Sequence, residues 1–312
     1  MSDNSTVSEV LQDGKRPWRQ KKMKTVELSN SFRRLGQIQK ADRIRECGSQ
    51  LTFAVNCDTG EKQLHDANFC RERLCPMCAW RRSLKIFWAV SRVMDGVQQK
   101  HPRLVPLFLT LTLRNCMGDE LSSMLDSIFT GWGRMSHNDR FKRLISGWFR
   151  ALEVTYNPED DTYHPHIHAI ILVDRAYFKG KDYMQTQDWV KLWRRSLRLD
   201  YDPVCDIRKV RGRKRKAVAE VAKYAVKDTD YIHKGDPDLT DRIVEVLSAS
   251  LKGRRLYAFG GVMKDEAKAL NVLQADEGHL THIEEDTVRS DVGTMLVTYR
   301  WKFGLGLYVR AK

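Results

Sequence analysis

Alternating histidines mark the segment of this chain best suited to metal chemistry. His164, His166 and His168 are separated by single residues and precede the apolar run Ala169–Val173. Successive side chains of a β-strand point to opposite faces, so His166 and His168 would share one face while Ile167 faces the core. Two neutral imidazoles at this spacing are a ready pair of ligands for a divalent cation. The segment is therefore predicted to be a strand that supplies two metal ligands.

A carboxylate upstream is expected to complete this site. Residues 151–156 alternate like a strand, and residues 157–161 (Asn-Pro-Glu-Asp-Asp) are typical of a turn. The two strands would form a hairpin that places Glu153 opposite the histidines. One carboxylate with two imidazoles would hold Mg²⁺ or Mn²⁺ and leave positions for phosphate oxygens. A cross-strand ion pair is the alternative role for Glu153. A further strand, 107–113, carries leucines on one face and Phe108 with two threonines on the other.

A tyrosine lies on the polar face of a predicted helix. Residues 217–227 carry apolar side chains at the spacing of an amphipathic helix, with Glu220, Tyr224 and Lys227 opposite them. They are either an ordinary Glu–Lys surface or a phenolic nucleophile whose neighbours orient phosphate and accept a proton. Just upstream, seven of the nine residues 208–216 are basic. This run is predicted to grip a DNA backbone, through Arg211, Arg213, Lys214, Arg215 and Lys216.

Cysteine spacing predicts a second metal site. The chain has seven cysteines, which should be reduced in an intracellular protein, and three of them follow the pattern Cys70-x4-Cys75-x2-Cys78. This is a zinc-knuckle spacing. Cys47 is the preferred fourth ligand because Cys57 lies in a predicted strand that ends in a turn; Cys57 and His65 remain alternatives. We expect structural Zn²⁺.

The charge of the chain favours a polyanionic partner. Lys and Arg number 54 against 40 Asp and Glu, a net charge of +14. A helix predicted from Trp80 to about Val97 opens with basic side chains expected to contact DNA, namely Arg81, Arg82 and Lys85. The first 25 residues contain no apolar signal segment, and no run reaches the roughly 18–20 apolar residues of a membrane span. We therefore expect a cytoplasmic protein with no membrane contact.

Together these motifs resemble the plasmid replication initiators of the HUH endonuclease superfamily, in particular the rolling-circle initiators of small plasmids of Gram-positive bacteria. The resemblance covers roughly residues 45–265. It rests on five segments: Phe69–Ser83, Phe108–Thr112, Glu153–Asn157 with His164–His168, Glu220–Lys227 and Arg255–Lys264. It implies an α+β fold with an HUH-type central antiparallel sheet flanked by helices, preceded by a small cysteine-rich zinc-binding segment.

The resemblance also implies a reaction. A divalent metal on His166, His168 and Glu153 would polarise the scissile phosphate, and Tyr224 would attack it. The products would be a 5′-phosphotyrosine and a free 3′-OH that primes synthesis. The partners would be single-stranded origin DNA, a host helicase and a polymerase; self-association is left open.

One tyrosine is expected to act alone. Asp228, Thr229 and Asp230 argue against a helix long enough to bring Tyr231 onto the same face. Glu220, one turn before the nucleophile, would then serve as base for a water in a second cleavage.

The sequence divides into a basic flexible arm (1–45), a cysteine-rich zinc-binding and helical DNA-binding segment (46–100), an endonuclease domain (104–270) and a C-terminal segment without an assigned role (271–312). The arm has eleven Lys and Arg against two acids between Lys15 and Arg45. Three other classes compete: a histidine-triad nucleotide hydrolase, a non-catalytic zinc-dependent nucleic-acid-binding regulator, and another HUH enzyme such as a relaxase or transposase.

Overall fold

The computed structural model describes residues 8–14, 16–210, 231–233, 235–273, 279–281, 283 and 293–311. In chain order the helices are α1 (Trp18–Arg34), α2 (Ile38–Glu46), α3 (Pro76–Lys100), α4 (Leu121–His137), α5 (Asp139–Leu144), α6 (Thr186–Leu197), α7 (Pro237–Ser250) and α8 (Val262–Ala269). The strands are β1 (Gln50–Asn56), β2 (Lys62–Ala67), β3 (Leu104–Thr112), β4 (Ile145–Asn157), β5 (Thr162–Asp174), β6 (Cys205–Lys209), β7 (Tyr257–Gly261), β8 (Thr294–Lys302) and β9 (Leu307–Arg310). The predicted α+β class, with antiparallel sheets flanked by helices, is confirmed.

The chain forms two compact units, each built from separate stretches of sequence. The first unit comprises residues 1–85, 231–245 and 276–312, and the second comprises residues 86–230 and 246–275. This differs from the four consecutive segments expected from the sequence. In the part of the chain that the structure describes, no helix is long and apolar enough to span a membrane.

The first unit is organised around a four-stranded antiparallel sheet in the order β2-β1-β8-β9. The β1–β2 turn is fixed locally, because the Asn56 side chain accepts hydrogen bonds from the backbone N–H groups of Asp58 and Thr59. Gly60 takes the positive φ of +70° that the same turn requires. Strands from the C-terminal segment complete the sheet, so residues 294–310 belong structurally with the cysteine-rich part.

The N-terminal basic segment is folded from Trp18 onward, contrary to the flexible arm expected for residues 1–45. It forms α1 and α2, which pack on each other and leave Trp18 and Phe32 almost fully buried. The Trp18 ring meets Phe53 of β1 edge-on at 5.7 Å between centroids. The physical reason is a helical stripe of Trp18, Thr25, Leu28 and Phe32, which buries apolar area while basic side chains of α1 other than Lys22 stay at least partly exposed.

The second unit contains a five-stranded antiparallel sheet in the order β6-β3-β5-β4-β7. Its centre is the β4–β5 hairpin, which closes at the predicted turn with Asp161 at a positive φ of 52°. One face packs on the later turns of α3 and on α8, through a core that includes Val90, Phe149, Ile170 and Met263. Both neighbours of β5 are strands of the same sheet, so this strand lies inside the sheet rather than at its edge.

Helices α4, α5 and α6 contribute an aromatic layer in the same unit. Trp132 of α4 meets Trp148 of β4 at 5.0 Å between ring centroids. Trp193 of α6 donates from Nε1 to the carbonyl oxygen of Thr112 at 2.9 Å. From Pro165 to Val173 every residue of β5 is buried, so the strand is covered on both faces over most of its length. A register shift of one residue would move every side chain of this strand to the opposite face of the sheet. The packing on both faces therefore fixes the position of its histidines.

Candidate active site and metal centres

Glu153, His166 and His168 come together as the alternation predicted. Glu153 on β4 is the cross-strand partner of His166 on β5. The Oε2 atom of Glu153 lies 2.6 Å from His166 Nε2 and 3.0 Å from His168 Nε2. All three side chains are buried, with exposed fractions of 4%, 8% and 7%. Three metal-ligating atoms therefore converge at one point in the sheet.

Hydrogen bonds to the far sides of the imidazoles determine what this point can bind. His166 Nδ1 lies 3.1 Å from the carbonyl oxygen of His164, which can only accept, so Nδ1 carries the hydrogen. The Nε2 atom of a neutral His166 then turns a lone pair towards the Glu153 carboxylate, which is also an acceptor. Acceptors so close together need a proton or a metal cation between them. The donor set of two imidazoles and one carboxylate fits a divalent cation.

Strand β3 supports the same site from the other side. Thr110 is the cross-strand partner of His168, and its Oγ1 lies 3.2 Å from His168 Nδ1. The Phe108 ring stacks at a tilt on the His168 ring, 5.7 Å between centroids. Thr112 instead donates to the carbonyl oxygen of Val204 at 3.1 Å. The sequence predicted that the two threonines share one face of a strand, but only the register shows that Thr110 contacts His168.

A third imidazole lies next to the pair. The His164 ring is 5.1 Å from the His166 ring between centroids. Partial burial lowers the pKa of His164, and the neighbouring His166 lowers it further. Both effects favour the neutral form of His164. Its backbone carbonyl oxygen accepts the hydrogen bond that orients His166.

The four cysteines predicted to bind zinc form one cluster in the first unit. The Sγ atom of Cys47 lies 3.5 Å from the Sγ atoms of Cys75 and Cys78, and the Sγ atom of Cys70 lies 3.8 Å from that of Cys78. Four sulfur atoms around a tetrahedral zinc ion at about 2.3 Å would be about 3.8 Å apart. The geometry therefore fits a single metal ion. It also favours Cys47 as the fourth ligand, since Cys57 is exposed.

Backbone N–H groups donate further hydrogen bonds to the sulfur atoms of the cluster. The N–H groups of Cys70 and Arg71 point to the sulfur atoms of Cys47 and Cys78, each at 3.3 Å. Burial raises the pKa of the Cys47 thiol well above its usual value. Burial opposes ionisation of Cys75 as well, but hydrogen bonds from the other three cysteines outweigh it and hold the pKa of Cys75 well below its usual value.

Lys22 of α1 is a site residue that the sequence analysis did not identify. It is fully buried, and burial lowers its pKa to about 8. The signal in the sequence was its position, because Lys22 falls between Trp18 and Thr25 on the apolar stripe of α1. A cation on such a stripe must be paired with something inside the protein.

The basic start of α3 is not uniformly available to DNA. Arg81 was predicted to contact DNA, but it is fully buried and donates to the carbonyl oxygens of Leu280 and Thr281 at 2.9 and 3.0 Å. That prediction is wrong for Arg81, because its guanidinium fixes the fold instead. Arg82 and Lys85 are partly exposed; they donate to carbonyl oxygens of Glu72 and His279 at 3.1 and 2.9 Å. Contact of these two with DNA stays a prediction.

Several predicted residues lie outside the described part of the chain. They are the proposed nucleophile Tyr224, its helix neighbours Glu220 and Lys227, and the basic residues Arg211, Arg213, Lys214, Arg215 and Lys216. Tyr231 is described: it is buried, and its hydroxyl donates to the carbonyl oxygen of Leu74. Its hydroxyl thus has a structural contact, and the role of a single catalytic tyrosine stays a prediction.

Comparison with known proteins identifies the class to which this fold and these sites belong. A family model described as "Replication protein" matches residues 61–309. A "Protein rep" of Bacillus amyloliquefaciens is 36% identical over 99% of this chain and 98% of its own length. Relatives of the same name from Streptococcus pneumoniae serotype 2 and Lactiplantibacillus plantarum are 34% and 31% identical, over 90% and 95% of this chain and 88% and 98% of their own lengths. No solved structure matches the chain.

The chain therefore belongs to the replication protein family. The resemblance to rolling-circle initiators drawn from its motifs is confirmed.

Proposed function

We propose that this replication protein starts rolling-circle replication of a plasmid by nicking one strand of its origin and remaining covalently attached to the cut end. The observation that carries the proposal is the convergence of Glu153, His166 and His168 on one buried point. A purely DNA-binding regulator has no use for such a site. A histidine-triad hydrolase would use a histidine as nucleophile, whereas both imidazoles here face a carboxylate.

The cation expected at this point is Mg²⁺ or Mn²⁺. When bound, it would polarise the scissile phosphate and offset the negative charge that builds on the phosphate oxygens. Glu153, His166 and His168 would hold it, while the His164 carbonyl and the Thr110 hydroxyl keep the two rings in orientation. A buried site of this kind lowers the cost of moving charge during the reaction because the dipoles are fixed in advance.

The proposed nicking reaction gives roles to three further residues. The phenol oxygen of Tyr224 forms a bond to phosphorus, and the bond from phosphorus to the 3′ oxygen breaks. The phenolic proton passes to a base, and the 3′ oxygen takes up a proton to become the primer hydroxyl. Lys227 would orient the phosphate or favour the phenolate. Glu220 would activate water for a later cleavage that ends the replication round. These three assignments rest on the sequence and on the resemblance.

The cysteine cluster is proposed to hold one structural Zn²⁺ on Cys47, Cys70, Cys75 and Cys78. It lies at the start of α3, so the metal would hold together the segment from which this helix begins. Duplex or single-stranded DNA would be contacted by Arg82, Lys85 and the basic residues Arg211, Arg213, Lys214, Arg215 and Lys216. The protein would act in the cytoplasm at the plasmid origin, together with a host helicase and polymerase that extend the 3′-OH.

Covalent attachment to DNA is the direct test. Single-stranded oligonucleotides tiled across the replicon that encodes the chain are labelled, incubated with the protein and Mn²⁺, and separated on a denaturing gel. The unaltered protein should give one denaturant-resistant adduct with the oligonucleotide that spans the nick site. Tyr224→Phe should give none, because the attacking oxygen is gone, and His168→Ala should give none, because the cation is no longer held. His101→Ala, which alters an exposed histidine outside the site, should react normally.

Three results would refute specific parts of this proposal. Full adduct formation by metal-free protein in EDTA would remove the metal from the mechanism. An adduct with Tyr224→Phe would reject that nucleophile. Mass spectrometry that places the DNA phosphate on Tyr231 would show that this residue leaves its contact with Leu74 and acts in catalysis.

A further inference from the structure

A buried lysine lies against the cysteine cluster of the first unit. Lys22 on α1 has no exposed surface, and its Nζ donates to the carbonyl oxygens of Arg45 and Cys47 at 2.5 and 2.8 Å. Both acceptors are neutral, so they satisfy hydrogen bonds without cancelling charge. Burying an ammonium away from a counter-charge is costly. The nearby groups that can carry the opposite charge are the sulfur atoms of the cluster and the carboxylate of Glu46. Glu46 is exposed, so solvent screens its charge, whereas Cys47 and Cys75 are buried with Lys22.

The charge of a loaded cluster makes this pairing specific. Metal binding displaces the remaining protons from the thiols, so four thiolates around one divalent cation, with a net charge of about −2, are more negative than the metal-free cluster. Loading therefore makes the cluster more negative, even though the metal itself is a cation. A fixed positive charge beside it stabilises the loaded state relative to the empty one.

A second contact of α1 reaches the same cluster from the next turn of the helix. Thr25 Oγ1 lies 3.7 Å from Cys75 Sγ and accepts a hydrogen bond from the Met77 N–H at 3.2 Å. Lys22 anchors the backbone on one side of the cluster, at Cys47, and Thr25 anchors the other side, at the start of α3. Helix α1 therefore supports the cluster through these two side chains.

We infer that Lys22 is a positioning residue for the cysteine metal centre: its ammonium balances the excess negative charge of the thiolates and holds the Cys47 backbone, so that the centre binds its metal tightly and stays inert to electrophiles. The inference depends on the metal assignment made above for the cysteines. It predicts that α1, the basic N-terminal helix, belongs to the metal centre and is not free to act as a DNA-binding arm on its buried side.

The experiment compares the full-length protein with three variants. Lys22→Met removes the charge and keeps the length of the side chain, and Lys22→Arg keeps a positive charge. Lys24→Met is the matched control, because it makes the same charge change two residues away on the same helix but has no contact with the cluster. Zinc affinity is measured by competition with a chromophoric chelator. The thiolates of the loaded protein are measured by their rate of alkylation with iodoacetamide.

The expected result is a loss of zinc affinity of about 10- to 100-fold in Lys22→Met, the range found when an outer partner of a metal ligand is removed. Alkylation should speed up by about tenfold, while the Co²⁺-substituted variant keeps the absorption intensity of a tetrahedral four-thiolate site. Lys24→Met should match the unaltered protein. Lys22→Arg should recover most of the affinity if charge is what matters.

Two outcomes would overturn the inference. The first is that Lys22→Met matches the unaltered protein in zinc affinity and alkylation rate. The second is that Lys22→Arg is as defective as Lys22→Met, which would mean that the shape of the lysine side chain matters and its charge does not. If the unaltered protein binds neither Zn²⁺ nor Co²⁺, the metal assignment itself fails, and this result is distinct from both.

A measurement on the unaltered protein removes any dependence on folding of the variants. Acetic anhydride labelling followed by mass spectrometry should leave Lys22 unmodified in the zinc-loaded protein and modify it after chelation, with Lys24 labelled in both. Equal labelling of Lys22 before and after metal removal would reject its coupling to the centre.

Discussion

The Thr110 hydroxyl allows a test of the geometry of the candidate active site, because this one group can be replaced without changing the shape of the side chain. Thr110→Val replaces the hydroxyl with a methyl group, and both side chains suit a strand. The substitution deletes the 3.2 Å contact from Oγ1 to Nδ1 of His168. His168 is 7% exposed, so water replaces the lost partner poorly.

The size of the effect follows from the burial of the ring. Leaving a buried polar group without its partner costs about 1–3 kcal/mol. A change of about 1.4 kcal/mol corresponds to tenfold in an equilibrium constant. We therefore expect Mn²⁺ affinity to fall by about 10- to 100-fold, the range typical for a partner that orients a metal-binding histidine. Thr110→Ser, which keeps the hydroxyl, should stay within about threefold of the unaltered protein.

The assay is a direct titration of Mn²⁺ by isothermal calorimetry or by electron paramagnetic resonance of free Mn²⁺. Thr130→Val is the control, since it makes the same chemical change on an exposed position of α4. Melting of the metal-free proteins checks that the fold is unchanged. Unaltered Mn²⁺ affinity in Thr110→Val would refute the argument that this hydroxyl orients His168. Equal weakening in Thr110→Ser would show that packing, and not the hydroxyl, is responsible.

Two further predictions concern the structural centre and the end of the reaction. Cys75→Ser should abolish binding of the roughly one zinc ion expected per chain. It should also lower the free energy of unfolding by several kcal/mol, because the binding energy of a structural zinc ion contributes to folding. An unaltered protein that contains no zinc, or a variant that melts at the normal temperature, would contradict this prediction. Glu220→Gln should form the covalent adduct at a near-normal rate yet fail to terminate, so that multimeric single strands accumulate from a plasmid template. Equal loss of initiation and termination would mean that Glu220 is a general part of the site, and the water-activation role would have to be abandoned.

The β4–β5 hairpin, which carries the candidate site, is the part of the fold that local sequence predicted best. A period-two pattern on either side of the turn at residues 157–161 is sufficient to fix which side chains share a face. The structure pairs Glu153 with His166 in the expected register. The cysteine spacing predicted the cluster for a similar reason, since three of its four cysteines lie within nine residues of one another and the fourth had few candidates.

Contacts between distant segments could not be predicted in this way. The segment before position 46 resembles a solvated tail because of its basic composition, whereas the burial of Trp18, Lys22 and Phe32 depends on the parts of the first unit against which α1 packs. Arg81 looked like a DNA contact because its neighbours in sequence are basic, whereas its partners are carbonyls about 200 residues away. The sheet order of the first unit, with β8 beside β1, joins two ends of the chain that no local pattern connects.

The sequence by itself determined which side chains converge in both candidate metal sites and the hairpin that presents His166 and His168, because alternation, turn residues and cysteine spacing act over a few residues. Only the tertiary structure decided which groups support those ligands. Thr110 behind His168 and Lys22 beside Cys47 are brought there by strand register and helix packing, and the free energy of those contacts comes from burying surfaces that are far apart in the chain.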